Sequence, residues 1–173
     1  MKRILVILIL LAVAGFSFAA SATATQNIDI VIGQVLLVAI VPTVNPITLT
    51  NGAAAAGAQL SGDTDASTRL RYTVSSAAVC RVTAGLSVAA PAGTRLDLTA
   101  TMGTGGSGAG AQGTSAGVKT LTLVATDIIT AIPSCYTGTN VGDGALLTYD
   151  LAITGSPADG TTSTVVTLTL QDF

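Results

Sequence analysis

Cys80 and Cys135 are the most reactive side chains in a sequence that has no His and no Trp and whose carboxylates are all Asp. Without imidazole, the usual general base and the commonest metal ligand are both missing. Two thiols alone fall short of the usual zinc ligand sets. Asp63, Asp65 and Ser67 place oxygen atoms at alternate positions, as a calcium loop would, but no Glu or spaced Gly follows to complete one. A solvated turn with side-chain-to-backbone hydrogen bonds is the expectation there, with Arg69 and Arg71 as ion partners on the next strand face. The same close carboxylate pair is the one candidate for glycoside cleavage, and its place in a turn argues against that. A Ser–Lys dyad would need Lys119 deprotonated in a dry pocket, whereas Lys119 opens an alternating stretch where a solvated Lys is ordinary. Met102–Gly117 holds seven Gly in 16 residues. No helix start with a Lys follows, so a mobile hairpin loop is expected rather than a phosphate cradle. We expect no catalytic residue, no metal site and no cofactor.

The fate of the cysteines depends on compartment, and the first twenty residues bear on it. Lys2 and Arg3 precede a 15-residue uncharged, mostly apolar run, Ile4–Phe18, followed by small residues at Ala19, Ala20 and Ala22. This is the pattern of a secretory signal peptide over residues 1–20, too short for a membrane span of about 20 apolar residues. Residues 21–173 then form a single domain with no membrane span. In an exported chain an even pair of cysteines reads as a disulfide. A Cys80–Cys135 bridge would close a loop of about 56 residues and stabilise the fold by about 4 kcal/mol on the chain-entropy account.

Charged residues make up only 9 % of the chain against 49 % apolar and 3 % aromatic, where an average domain carries about 25 % charge. The isoelectric point of 4.6 excludes the basic footprint of a nucleic-acid binder. Short runs rich in Val, Ile, Thr and Leu, separated by Gly, Asn, Asp and Pro, read as strands. The candidates are Asn27–Ile32, Gln34–Val41, Ile47–Thr50, Arg69–Ser75, Ala78–Leu86, Thr94–Thr101, Val118–Ala125, Ala145–Ile153 and Ser163–Gln171. Ala53–Leu60 and Thr126–Ala131 could each make one helical turn. The expected fold is an all-β sandwich, immunoglobulin-like or jelly-roll, of about nine strands.

The opening stretch 26–41 stands out. Ile28, Ile30 and Ile32 share one strand face, and from Val35 and Leu37 onward both faces are apolar. Two explanations stay open: a central strand of the chain's own sandwich buried on both sides, or a donor strand that completes a neighbour's sheet. Toward the C-terminus, Val166, Leu168 and Leu170 alternate, with Gly160 fourteenth from the end. This strand resembles the C-terminal strand of chaperone–usher pilins, although Asp172 stands where that family has Tyr. The resemblance implies donor-strand assembly and a periplasmic chaperone as partner. The N-I-D-I-V-I opening, the R-L-R-Y-T-V-S stretch around Tyr72 and the final T-V-V-T-L-T-L strand also resemble small secreted bacterial β-proteins of unassigned function.

So few charges leave Ala, Gly, Ser and Thr to form much of the exterior, and sheet edges without charged gatekeepers invite pairing. The expectation is an extracellular structural subunit (filament, pilus-like fibre, coat or matrix) that forms a homopolymer at the cell surface by strand complementation. The alternative is a monomeric secreted adhesin that binds a surface glycan, with Tyr136 as its ring platform and Met102–Gly117 among its contact loops.

Overall fold

The computed structural model describes residues 25–43, 46–52, 55–103 and 108–172. The signal-peptide stretch and its cleavage sites lie outside the described residues. The chain divides into two units, Met1–Ile32 and Gly33–Phe173. In the first, residues 25–32 have no regular secondary structure and are exposed, so the strand expected at Asn27–Ile32 is not formed.

The second unit is an all-β sandwich. Its strands are β1 (Val35–Val41), β2 (Asp63–Ser75), β3 (Cys80–Leu86), β4 (Thr94–Thr101), β5 (Thr114–Ser115), β6 (Lys119–Thr120), β7 (Thr126–Ile132), β8 (Cys135–Tyr136), β9 (Ala145–Ile153) and β10 (Val166–Asp172). One sheet runs β1-β2-β9-β4-β6, with β8 also paired to β2, and the other runs β10-β3-β7-β5. Every pairing is antiparallel. Alternating side chains from the two sheets meet in a core of Leu70, Tyr72, Val74, Val82, Leu98, Ile128, Ile129, Ile132, Leu147 and Tyr149. This is the sheet-on-sheet packing that one wet and one dry face per sheet require.

Strands β4 and β9 take the bounds expected from their turn residues. Elsewhere the structure corrects the expectation. Thr126–Ala131 is not helical: it belongs to β7, inside the second sheet. Its register against β3 shifts between Cys80 and Val82 and again between Val82 and Thr83, and Ala131 has φ 54. Such bulges place Ile128 and Ile129 both in the core and erase the period of two that marks a strand. The Ala-rich stretch after Asn51 is no helix in its described part; Gly52 and Ser61 pair as an isolated bridge. Val118–Ala125 is a strand only at β6. Beyond it Leu121 N donates to Leu96 O (2.8 Å) and Leu86 N donates to Thr122 O (2.8 Å), so this segment crosses from one sheet to the other. That crossing closes one lateral side of the sandwich.

A buried carboxylate reinforces that closed side. Asp97 on β4 is 4 % exposed. It accepts two bonds from Arg95 Nε (3.0 and 2.8 Å) and one from Thr120 Oγ1 (2.7 Å), and Arg95 Nη2 lies 2.8 Å from Oδ2. The fork of Arg95 holds the charge that burial would otherwise penalise. Replacing Asp97 by Ala removes these bonds, while the exposed Thr120 hydroxyl and Arg95 guanidinium turn to water. An expected loss of about 1 kcal/mol would appear as a lower urea midpoint at unchanged slope.

Candidate functional site

The opposite lateral side, between β1 and β10, is built differently. Strand β1 is the last strand of its sheet and β10 the last of the other, and the two lie side by side. Directly opposed residues of an antiparallel pair share a face. Leu36, Val38 and Ile40 oppose Val74, Tyr72 and Leu70, all buried, so the even-numbered residues of β1 point into the sandwich. Val38 is nevertheless 41 % exposed and Ile40 37 %. On β10, Val166, Leu168 and Leu170 oppose Leu86, Ala84 and Val82, again all buried, yet they themselves are only half-buried. The two edge strands approach each other without a hydrogen-bonded ladder among the described residues, and this gap in the pairing leaves their core-facing aliphatic side chains partly exposed.

This overturns one expectation about the opening stretch. The run from Val35 is not a central strand buried on both faces. It is an edge strand whose outward residue Leu37 is 62 % exposed. Val35 and Leu37, candidate donor residues, sit in the chain's own sheet opposite Ser75 and Thr73. Val166, Leu168 and Leu170 likewise belong to the chain's own sheet and line the gap. In the first unit Ile28, Ile30 and Ile32 are exposed by 75 %, 82 % and 81 %. At one end of the gap Gln34 Nε2 donates to Asp172 Oδ2 (3.0 Å) and to Ser76 Oγ (3.3 Å), tying the start of β1 to the end of β10.

The other candidates are accounted for structurally. Asp63 Oδ2 accepts from Thr50 N (3.1 Å) and Oδ1 from Thr64 N (2.8 Å), and these backbone bonds hold its carboxyl below the usual Asp range. Asp65 Oδ1 accepts from Ser67 N (3.0 Å) and Ser67 Oγ (2.8 Å). No cluster of three metal-ligating side chains occurs among the described residues. Arg69 and Arg71 donate to the Gly144 and Asn140 carbonyls rather than to the expected carboxylates.

The Gly-rich stretch is pinned at several points in its described part. Ala109 and Tyr136 form an isolated bridge, Thr114–Ser115 make β5, and Tyr72 Oη donates to the Gln112 carbonyl. A free hairpin loop is therefore the wrong picture for it. Burial raises the Tyr72 phenol and pushes that of Tyr149 up to about 12. Tyr136 is 47 % exposed. A shallow groove beside β4 is lined mainly by apolar atoms, including those of Leu96, Leu121 and Val124.

The expected disulfide is not formed. Cys80 and Cys135 are free thiols, both buried, on strands of opposite sheets. Burial, reinforced by Cys80, raises the Cys135 thiol above its usual value and so suppresses the thiolate. Both side chains serve as small core residues. The expected outcome is that thermal unfolding is unchanged by reductant and that neither thiol is alkylated until the protein unfolds. Intact-mass measurement with and without denaturant checks this.

Comparison with protein families, with characterised proteins and with solved structures finds no match to this chain.

Proposed function

We propose that the chain is an exported structural subunit that assembles at the cell surface by β-strand complementation, the segment 26–33 of one copy entering the gap between β1 and β10 of another. The observation that carries this reading is the exposure of core-facing residues on both walls of that gap. Residues pointing into a sandwich are normally covered, and an uncovered apolar edge strand is a pairing template. The segment supplies what the gap lacks: three isoleucines on one strand face and a backbone whose N–H and C=O groups have no ladder of their own. Main-chain bonds would give affinity and the isoleucines would set register. The sparse charge of the exterior and the signal-peptide pattern of residues 1–20 support a role in an extracellular assembly. The chaperone that pilin-like edges use would cover the same gap before assembly.

A monomeric glycan-binding module is the second reading, favoured by Tyr136, the one exposed tyrosine among the described residues.

Replacing Ile30 by Asp tests the first reading. Burying one isoleucine is worth about 1.5–3 kcal/mol, so assembly should weaken by about 10- to 100-fold or more, while the circular dichroism of the monomer stays that of a β-sandwich. Sedimentation velocity on the mature wild-type and variant proteins measures both. Unaltered assembly of the variant would exclude the segment as donor.

A further inference from the structure

We infer that the sheet holding β1, β2 and β8 carries on its outer face a binding site for an uncharged sugar chain, built from Leu37, Thr73, Tyr136 and Ala109. The site rests on the glycan-binding reading of Tyr136, and it gives that ring its neighbours and its class of ligand. All four residues belong to the unit Gly33–Phe173, so the site is complete in one copy of the chain.

Register brings the four together. Tyr72 and Val74 are buried in the core, so Thr73 between them points to the solvent side of β2. Leu37 of β1 opposes Thr73 on one flank, and Tyr136 of β8 opposes it on the other. Tyr136 is opposed in turn by Ala109: Ala109 N donates to Tyr136 O (2.9 Å) and Tyr136 N donates to Ala109 O (3.2 Å). Opposed residues of antiparallel neighbours share a face. Four side chains from four backbone segments therefore stand in one row, about 14 Å long at about 4.8 Å per step. The Gly-rich stretch supplies the last of them because its glycines can lie against the backbone. A Cβ on Gly108 would fall 2.5 Å from Tyr136 O, and one on Gly110 would fall 3.1 Å from Ser134 O.

The row has the chemistry of a sugar platform. Leu37 and Tyr136 are exposed, and Thr73 is half-buried between them. Beside them Val35 opposes Ser75 on the same face. The hydroxyls of Thr73, Ser75 and Tyr136 make no hydrogen bond within the protein among the described residues. None of these residues is charged, and Arg71, the next outward residue of β2, donates to the Asn140 carbonyl. A pyranose has the complementary surfaces: apolar C–H faces that pack on an aromatic ring, and hydroxyls that exchange hydrogen bonds at its rim. An ionic ligand would lose hydration here and meet no counter-charge. The row lies on an open sheet face rather than in a pocket, which suits several sugar units laid along it better than one unit enclosed.

Equilibrium dialysis of the full mature chain against labelled, uncharged hexaoses of glucose, mannose, galactose and N-acetylglucosamine tests this. At least one hexaose should bind. Replacing Tyr136 by Ala should weaken that binding by about tenfold or more, and Leu37→Ser by about threefold, with the circular dichroism of both variants unchanged. Tyr136→Phe keeps the ring and should bind within about threefold of the wild type. Binding that survives Tyr136→Ala overturns this site while the glycan-binding reading stands. Binding lost equally in Tyr136→Phe and Tyr136→Ala overturns the ring as the platform. If no hexaose binds, the site and the reading beneath it both fall. If in addition Tyr136→Ala alters sedimentation, the face is a contact between copies of the chain instead.

Discussion

A sandwich hides its inward-facing residues only if both lateral sides are closed, and this one closes them unequally. On one side the chain itself does the work. The segment after β6 passes from the Leu96 carbonyl to the Leu86 amide, and Asp97 is clamped by Arg95 and Thr120 nearby. On the other side β1 and β10 face each other with Val38, Ile40, Val166, Leu168 and Leu170 incompletely covered. In water the hydrophobic effect acts on that exposed aliphatic surface. The whole functional account depends on this one asymmetry.

The composition fits the same constraint. A chain with 9 % charged residues has little means of protecting a sheet edge by charge. The strand with the most exposed aliphatic surface, β1, contains no charged residue at all. At its start Gln34 bonds Asp172 and Ser76, which ties the two walls together without covering them. Asp63, Asp65 and Asp97 are engaged in turn and strand hydrogen bonds, and both thiols are buried, with burial raising the Cys135 thiol above its usual value.

The sequence discloses the architecture more readily than the site. Strands β4 and β9 are legible because turn residues bracket them and their side chains alternate. Strand β7 is not, because two bulges bury Ile128 and Ile129 side by side, and that pattern looks like neither a strand nor a long helix. Leu121 and Leu123 alternate with Thr as a strand would, yet the strand ends at Thr120 and the chain passes to the other sheet, with Leu121 buried and Leu123 61 % exposed; the alternation does not carry that crossing. The opening stretch misleads in the opposite sense. Apolar residues on both faces from Val35 suggest full burial, but burial needs neighbours on both edges, and the number of neighbours is a property of topology that periodicity does not carry. The candidate residues Ile28, Ile30, Ile32, Val166, Leu168 and Leu170 were visible from their spacing. That the last three pair within the chain's own sheet became visible only with the register of β10 against β3.

The central claim concerns what occupies the gap between β1 and β10 once the protein has assembled. An electron cryo-microscopy map of the assembled mature protein would show it directly. The account predicts a strand from a neighbouring copy in the gap, with Ile28, Ile30 and Ile32 turned toward Val38, Ile40 and Leu168. An empty gap, or subunits joined through the β6 side instead, would contradict it.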